Sequence, residues 1–136
     1  MVDKNEESFL DLGTNLDDVP ELSTVPAGEY ELCIEDLRIT TSEKGRFLIA
    51  RFSLEGMENM KTISNPFRLP EADMALKDQQ RCLRGLKHFY SAFDIPGDST
   101  MVFAEQVGKR GYAMLGEEED AKYGKQNRIN SFSLKK

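Results

Sequence analysis

Two runs of alternating side chains, EYELCIEDLRI over residues 29–39 and RFLIARFSLE over 46–55, flank the short polar stretch TTSEKG. Successive side chains of a β-strand point to opposite faces. Tyr30, Leu32 and Ile34 therefore share one face of the first run, and Glu29, Glu31, Cys33 and Glu35 share the other. Gly45 tolerates positive φ, so the two runs are expected to fold back on each other as a hairpin. In the second run Leu48, Ala50 and Phe52 form an apolar set suited to a core, while Phe47, Ile49, Arg51 and Ser53 mix ring, aliphatic, cation and hydroxyl. A ring interleaved with a cation on a strand's outer face points to a partner other than water.

The rest of the chain supplies the order of elements. Gly56 to Asn59 turns, and MKTISNPFRL over 60–69 reads as a third strand, which Pro66 makes an edge because it has no amide to donate. From Ala72 to Phe93 the period changes: Leu76, Leu83, Leu86, Tyr90 and Phe93 make the apolar stripe of a helix, and Lys77, Arg81, Arg84 and His88, with Lys87 beside them, lie on another face. Asp94 to Asp98, DIPGD, ends that helix. Residues 99–107 offer a short helix or turn, and 111–115 and 127–134 read as two last strands joined by a long polar loop over 116–125. Several all-β and α+β folds hold such an order. It matches without remainder a mainly-β architecture, the five-stranded Greek-key OB-fold barrel with one α-helix between strands 3 and 4. In that barrel the outer face of strands 2 and 3, with the loops joining strands 1–2 and 4–5, takes oligonucleotides or oligosaccharides, and the helix plugs the barrel away from the groove. The basic stripe of the helix is then expected to be a solvated face, or a surface for a partner or for the acidic leader.

The stretches LDDVPELSTVPAGEYELCIEDLRI and TSEKGRFLIARFSLEG, the NPFRL–helix–IPG segment and the closing YGKQNRINSF together resemble small phage-encoded OB-fold proteins that bind single-stranded DNA and are associated with replication and recombination. The resemblance spans nearly the whole chain and rests on pattern, Pro-x-Gly-x-Tyr and a late Tyr-Gly followed by Asn-Arg, without a catalytic signature. It implies non-enzymatic, largely sequence-independent binding of single-stranded DNA in phage replication or recombination, in the host cytoplasm.

The net charge of −6 at first opposes a nucleic-acid partner. Its distribution removes the objection: residues 1–25 hold seven acids and one base, leaving seventeen of each for residues 26–136. The chain therefore divides into an acidic leader, 1–25, without helical or strand period and expected to stay mobile until it meets a partner, and an OB-fold domain, 26–136, that is charge-balanced and free to carry a basic groove. Within the leader, Asp17, Asp18, Val19 and Pro20 resemble the acidic, proline-bearing tail tips through which bacterial single-strand binders recruit replication proteins, although those tips are C-terminal. They are the candidate partner-binding residues, for recombination or replication proteins. The leader is equally able to lie in the groove as a phosphate mimic.

A sequence-tolerant single-strand binder needs cations along the phosphates and π-faces for the bases. The candidates are Lys44, Arg46, Phe47 and Arg51 on the second strand and the turn before it, and Lys61, Phe67 and Arg68 on the third. Lys109, Arg110 and Tyr112 lead into the fourth strand, and Lys122, Tyr123, Lys125 and Arg128 occupy the late loop and fifth strand. Phe47 and Phe67 also suit core or rim packing, whereas Tyr123, between two lysines in a loop, suits stacking.

Other chemistries are poorly served. His88 is the single histidine, tied to neither cysteine by a known catalytic spacing, and no phosphate-cradling Gly-x-x-x-x-Gly-Lys-Ser/Thr loop exists. Glu117 to Asp120, four adjacent acids, lack the fixed octahedral geometry Mg²⁺ demands, so no metal and no cofactor are expected. Cys33 and Cys82 stand apart among apolar residues and read as core thiols. Gly108-Lys109-Arg110-Gly111 matches the Gly-x-x-Gly clamp of KH domains, but a strand-like run follows it. No run is long enough to cross a bilayer and residues 1–9 lack a signal-peptide pattern. The alternative function is an OB-like protein-interaction module that recruits a recombinase or replication protein without touching nucleic acid.

Overall fold

A computed structural model of the chain describes residues 8–134. Five antiparallel strands, β1 (Gly28–Ser42), β2 (Gly45–Leu54), β3 (Ile63–Arg68), β4 (Arg110–Asp120) and β5 (Gly124–Phe132), form one sheet in the order β3-β2-β1-β4-β5. A long helix, α1 (Leu76–Ala92), and a single-turn helix, α2 (Phe103–Gln106), lie in the chain between β3 and β4. Because β4 returns after this helical segment to lie beside β1, the connection is a Greek key. The fold is mainly β.

β1 organises the sheet. Its first half, Gly28 to Cys33, pairs with β4, and Leu32 to Ser42 pairs with β2. Between Ile34 and Asp36 the register shifts by a bulge, which bends a strand and increases its twist. The bulge also reverses the alternation: Leu32 and Ile34 are buried before it and Leu37 after it. On β2 the expected apolar set Leu48, Ala50 and Phe52 is fully in the core.

β3 and β5 are the edges of the sheet and share no ladder, so it is not closed by backbone hydrogen bonds. Their inner faces meet through rings instead: Phe67 of β3 stacks on Phe132 of β5 with centroids 5.8 Å apart. The end of α1 packs on this seam, with Phe89 4.8 Å from Phe67 and 5.7 Å from Phe132, and Phe93 stacked 5.2 Å from Phe52. Such pairs add about 0.5–1.5 kcal/mol each beyond the area they bury. Gly111 of β4 lets the helix approach, because a Cβ there would meet the Ala92 carbonyl and the Phe93 ring.

Several expectations are corrected. The helix starts at Leu76, not Ala72, because Glu71 to Met74 fold into a turn whose carbonyls, those of Glu71 and Met74, accept from Gln79 Nε2 at 3.1 and 3.0 Å. Only its second half is buried, through Phe89 and Ala92; Leu76 and Leu83, expected in the apolar stripe, are 69% and 52% exposed. Residues 116–125 are not a long loop but a continuation of the β4–β5 hairpin, closed at Ala121 to Tyr123. Asp120 Oδ1 accepts from the amides of Lys122 (2.7 Å) and Tyr123 (3.0 Å), and Gly124 takes a φ of 74°. Glu118 and Glu119 face Gln126 and Lys125 across this ribbon. A ribbon wet on both faces carries no apolar alternation, so its period is silent in the sequence.

The body of the protein also takes in part of the leader. Ser23 N donates to Asn59 O (3.0 Å), Lys61 N donates to Ser23 O (2.9 Å), and the Asn127 side chain both accepts from Val25 N (2.9 Å) and donates to Val25 O (2.8 Å). Val25 is buried, so residues 23–25 pack against the body. Residues 8–22 are exposed, with one 3-10 turn at Leu16–Asp18. The leader charges Asp3, Lys4, Glu6 and Glu7 lie outside the described residues. Cys33 and Cys82 are free and half-buried, not core. Among the described residues no helix is long and apolar enough to cross a membrane.

Candidate nucleic-acid interface

On the outer face of β2, Phe47 stands opposite Arg68 of β3, Ile49 opposite Pro66 and Arg51 opposite Ser64. On the other side β1 adds Thr40, Arg38 and Asp36 at the same three levels. The face thus carries an apolar line, Phe47, Ile49 and Pro66, between the cations Arg38, Arg51 and Arg68. Arg38 and Arg51 are exposed and make no ion pair among the described residues. Two acids border this face: Asp36, half-buried opposite Arg51, and Glu35, whose Oε1 accepts from the Ser53 hydroxyl at 2.5 Å.

Each end of β3 is fastened to a hairpin turn. At one end Arg68 Nη1 donates to the Lys44 carbonyl in the β1–β2 turn, while Nη2 donates to Glu71 Oε2 at 2.6 Å. The guanidinium lies 5.4 Å from the Phe47 centroid and directly against Gly45, whose φ of 122° and lack of a side chain make room for it. At the other end Lys61 Nζ donates to the carbonyls of Tyr123 (3.2 Å) and Lys125 (2.7 Å) in the β4–β5 turn. Outer positions of β2 and β3 therefore lie between two turns that carry Lys44 on one side and Lys122, Tyr123 and Lys125 on the other. Tyr123 is 63% exposed, and the Lys122 ammonium sits 5.1 Å from its ring centroid. Lys44 and Lys125 are exposed, without ion pairs among the described residues.

The remaining candidates divide. Phe67 is not on this face: 7% exposed, it points inward opposite Leu48 and belongs to the ring cluster, so it cannot stack on a base. Arg68, through Nη1 and Nη2, and Lys61, through Nζ, donate to the protein and act as fasteners for the turns. Arg46 shares the parity of Leu48 and projects, exposed, from the opposite side of β2. Lys109 donates to Asp94 O at 3.0 Å. Arg110 and Tyr112 lie on β4, beyond β1 from the β2 face, where Arg110 is 3.6 Å from Glu55 and Tyr112 stands opposite Glu31. This region is acidic: burial first, then the Glu35 and Glu55 carboxylates, push the Cys33 thiol above its usual range. Arg128 pairs with Glu118 at 3.4 Å on the β4–β5 ribbon. The structure therefore sets Phe47 and Arg51 between Lys44 and the 122–125 turn, while Arg110 and Tyr112 stand on the same outer side one strand beyond β1, and Lys109 precedes that strand.

Arg38 is the residue that the sequence reading omits. Its signal is the break in alternation from Ile34 to Leu37, which marks a bulge and places Arg38, two residues after Asp36, on the outer face. Among the described residues no group of three or more His, Cys, Asp or Glu side chains is arranged to hold a metal ion.

These features define an antiparallel sheet with an exposed, ring-bearing cationic face. Comparison with protein-family models gives no match, and comparison with curated protein sequences gives none either.

Proposed function

We propose that the chain binds single-stranded DNA, without catalysis and largely without regard to sequence, on the outer face of β2 and β3, in phage replication or recombination. The finer fold assignment is an OB-type barrel left partly open between β3 and β5; the Greek-key order, the coiled β1 and the ring-filled seam support it. The observation that carries the functional reading is the fastening of the two hairpin turns to opposite ends of β3, with Phe47 and Arg51 on the face between them. OB-folds bind oligonucleotides on that face with the loops joining strands 1–2 and 4–5. Phe47 and Tyr123 offer π-faces and Lys44, Arg51, Lys122 and Lys125 offer charge, the two ingredients of sequence-tolerant recognition.

The test is a titration of labelled oligo(dT) against the full chain and the Arg51→Glu and Lys125→Glu variants. Loss of binding in both, with unchanged melting, supports this function. The second reading, a protein-interaction module, is favoured by the exposed apolar groups Phe9, Leu10, Leu12, Leu16, Val19 and Leu22 of the leader. Absence of binding by every form would support it instead.

A further inference from the structure

Within α1, Lys77, Arg81, Arg84 and Lys87 stand against a single acid, Asp78. Lys77, Arg81, Arg84 and His88 recur every three or four residues, which aligns them along one side of the helix. The four Lys and Arg side chains are exposed, and none forms an ion pair among the described residues. Like charges at these spacings weaken a helix, so the fold itself gains nothing from the ridge.

Its position is the second observation. Arg81 and Gly85 of α1 line a surface groove together with Pro66 and Arg68 of β3, so the helix borders the far side of the β3 edge, with Asp78 the acid at the rim. The link is stiff, because Arg68 is bonded to Glu71, and Gln79 of α1 donates to the Glu71 and Met74 carbonyls. A strand leaving the β2–β3 face at Arg68 meets this groove first and the cationic ridge directly beyond it.

We infer that α1 is a second segment of the binding path, in which Lys77, Arg81 and Arg84 hold the phosphodiester backbone of the same single strand after it crosses the β3 edge. The inference rests on the proposed function and assigns the helix a role in site length. Charge complementarity and continuity with the β2–β3 face select a polynucleotide as the occupant. From Lys77 to Arg84 the ridge rises about 10 Å.

The test compares dT8, within the roughly 4–16 nucleotides one such fold covers, with dT25, by fluorescence anisotropy of the full chain at several salt concentrations. The K77E/R81E/R84E and K77Q/R81Q/R84Q variants should keep dT8 affinity within about twofold. They should bind dT25 roughly tenfold or more weakly at 0.1 M salt, and the log–log salt slope should shrink by about 2, since each single-strand phosphate contact contributes about 0.7. Arg51→Glu should weaken both lengths. Wild-type behaviour of both triple variants on dT25, or tighter dT25 binding that reveals the acidic leader as the true occupant, overturns the inference and leaves the proposed function standing. Equal losses on dT8 and dT25 also overturn it. Failure of the wild-type chain to bind either oligonucleotide overturns the proposed function and this inference with it.

Discussion

Arg68 lies 5.4 Å from the centroid of Phe47 while two of its guanidinium nitrogens donate to the Lys44 carbonyl and the Glu71 carboxylate. The half-buried ring is therefore seated by a cation whose own position is fixed by two different segments. Immobilising a ring before a base arrives lowers the ordering cost of binding.

Truncating that ring separates binding from stability. Phe47→Ala should weaken oligo(dT) binding by about 1–3 kcal/mol, the range of one lost base stack. Because Phe47 is only half-buried, its urea midpoint should move little. An affinity equal to wild type in an anisotropy titration would remove Phe47 from the site.

Phe67→Ala should behave in the opposite way. Phe67 is buried between Phe89 and Phe132, at 4.8 and 5.8 Å, and a large-to-small change at such a site costs about 3–5 kcal/mol. Equilibrium urea unfolding measures it. A loss below about 1 kcal/mol would mean that the β3–β5 seam is not packed as described.

The pair shows what the sequence discloses and what it conceals. Phe47 and Phe67 both neighbour an arginine on a strand, and residue type alone does not distinguish them; strand pairing does, since Phe67 faces Leu48 and Phe47 faces Arg68. Alternation alone places Leu48, Ala50 and Phe52 correctly, because β2 has no bulge. It fails on β1 beyond Glu35, where one extra residue exchanges the faces and brings Arg38 outward. The β4–β5 ribbon is hidden for another reason: its cross-strand partners, such as Glu119 and Lys125, are polar and leave no hydrophobic rhythm. The placing of Arg110 and Tyr112 one strand beyond β1, and not beside Arg51, follows from strand order, which a chain of residue types does not encode.

Lys61 offers a test of the second turn. Lys61→Met keeps the aliphatic stem but removes donors to the Tyr123 and Lys125 carbonyls. Each such bond contributes about 0.5–1.5 kcal/mol. Amide exchange over residues 122–126 should quicken, and oligo(dT) affinity should fall several-fold without a change in the core amides. Unchanged exchange would show that the turn is held in place by its own hairpin.

Cys33 reports the electrostatics of the neighbouring part of the same outer face, where it stands opposite Ser53 of β2 and Arg110 of β4. Burial, Glu35 and Glu55 disfavour its thiolate, with Arg110 acting in the other sense. Alkylation at pH 8 should therefore be slower than for a free thiol, because the thiolate is the reacting form. The sign for stability follows: the folded thiol binds its proton more tightly than the unfolded one, so this contribution is present below the unfolded pKa and is lost as pH rises toward the folded value. Mass-spectrometric alkylation rates against pH measure the shift, and a Cys33 rate matching a free thiol at every pH would contradict the acidic environment described.

The acidic leader leaves the body beside the Lys61 end of the face, since Ser23 is hydrogen-bonded to the backbone of Asn59 and Lys61. Asp11, Asp17, Asp18 and Glu21 lie on the exposed stretch before that anchor. At about 0.01 M salt the screening length is ~30 Å, and at 0.1 M it is ~10 Å, so these carboxylates oppose an incoming phosphate strongly only when salt is low. Deleting residues 1–20 retains Ser23 to Val25 and their bonds to Asn59, Lys61 and Asn127. This truncation should raise oligo(dT) affinity several-fold at about 0.02 M salt, with the advantage vanishing by about 0.3 M. The D11N/D17N/D18N/E21Q variant should reproduce most of that gain if charge is the cause, because it keeps the apolar groups Leu12, Leu16 and Val19 in place. Lower affinity of the truncated chain at every salt concentration would instead make the leader a contributor to binding, and identical affinities throughout would leave it with no electrostatic role at the face.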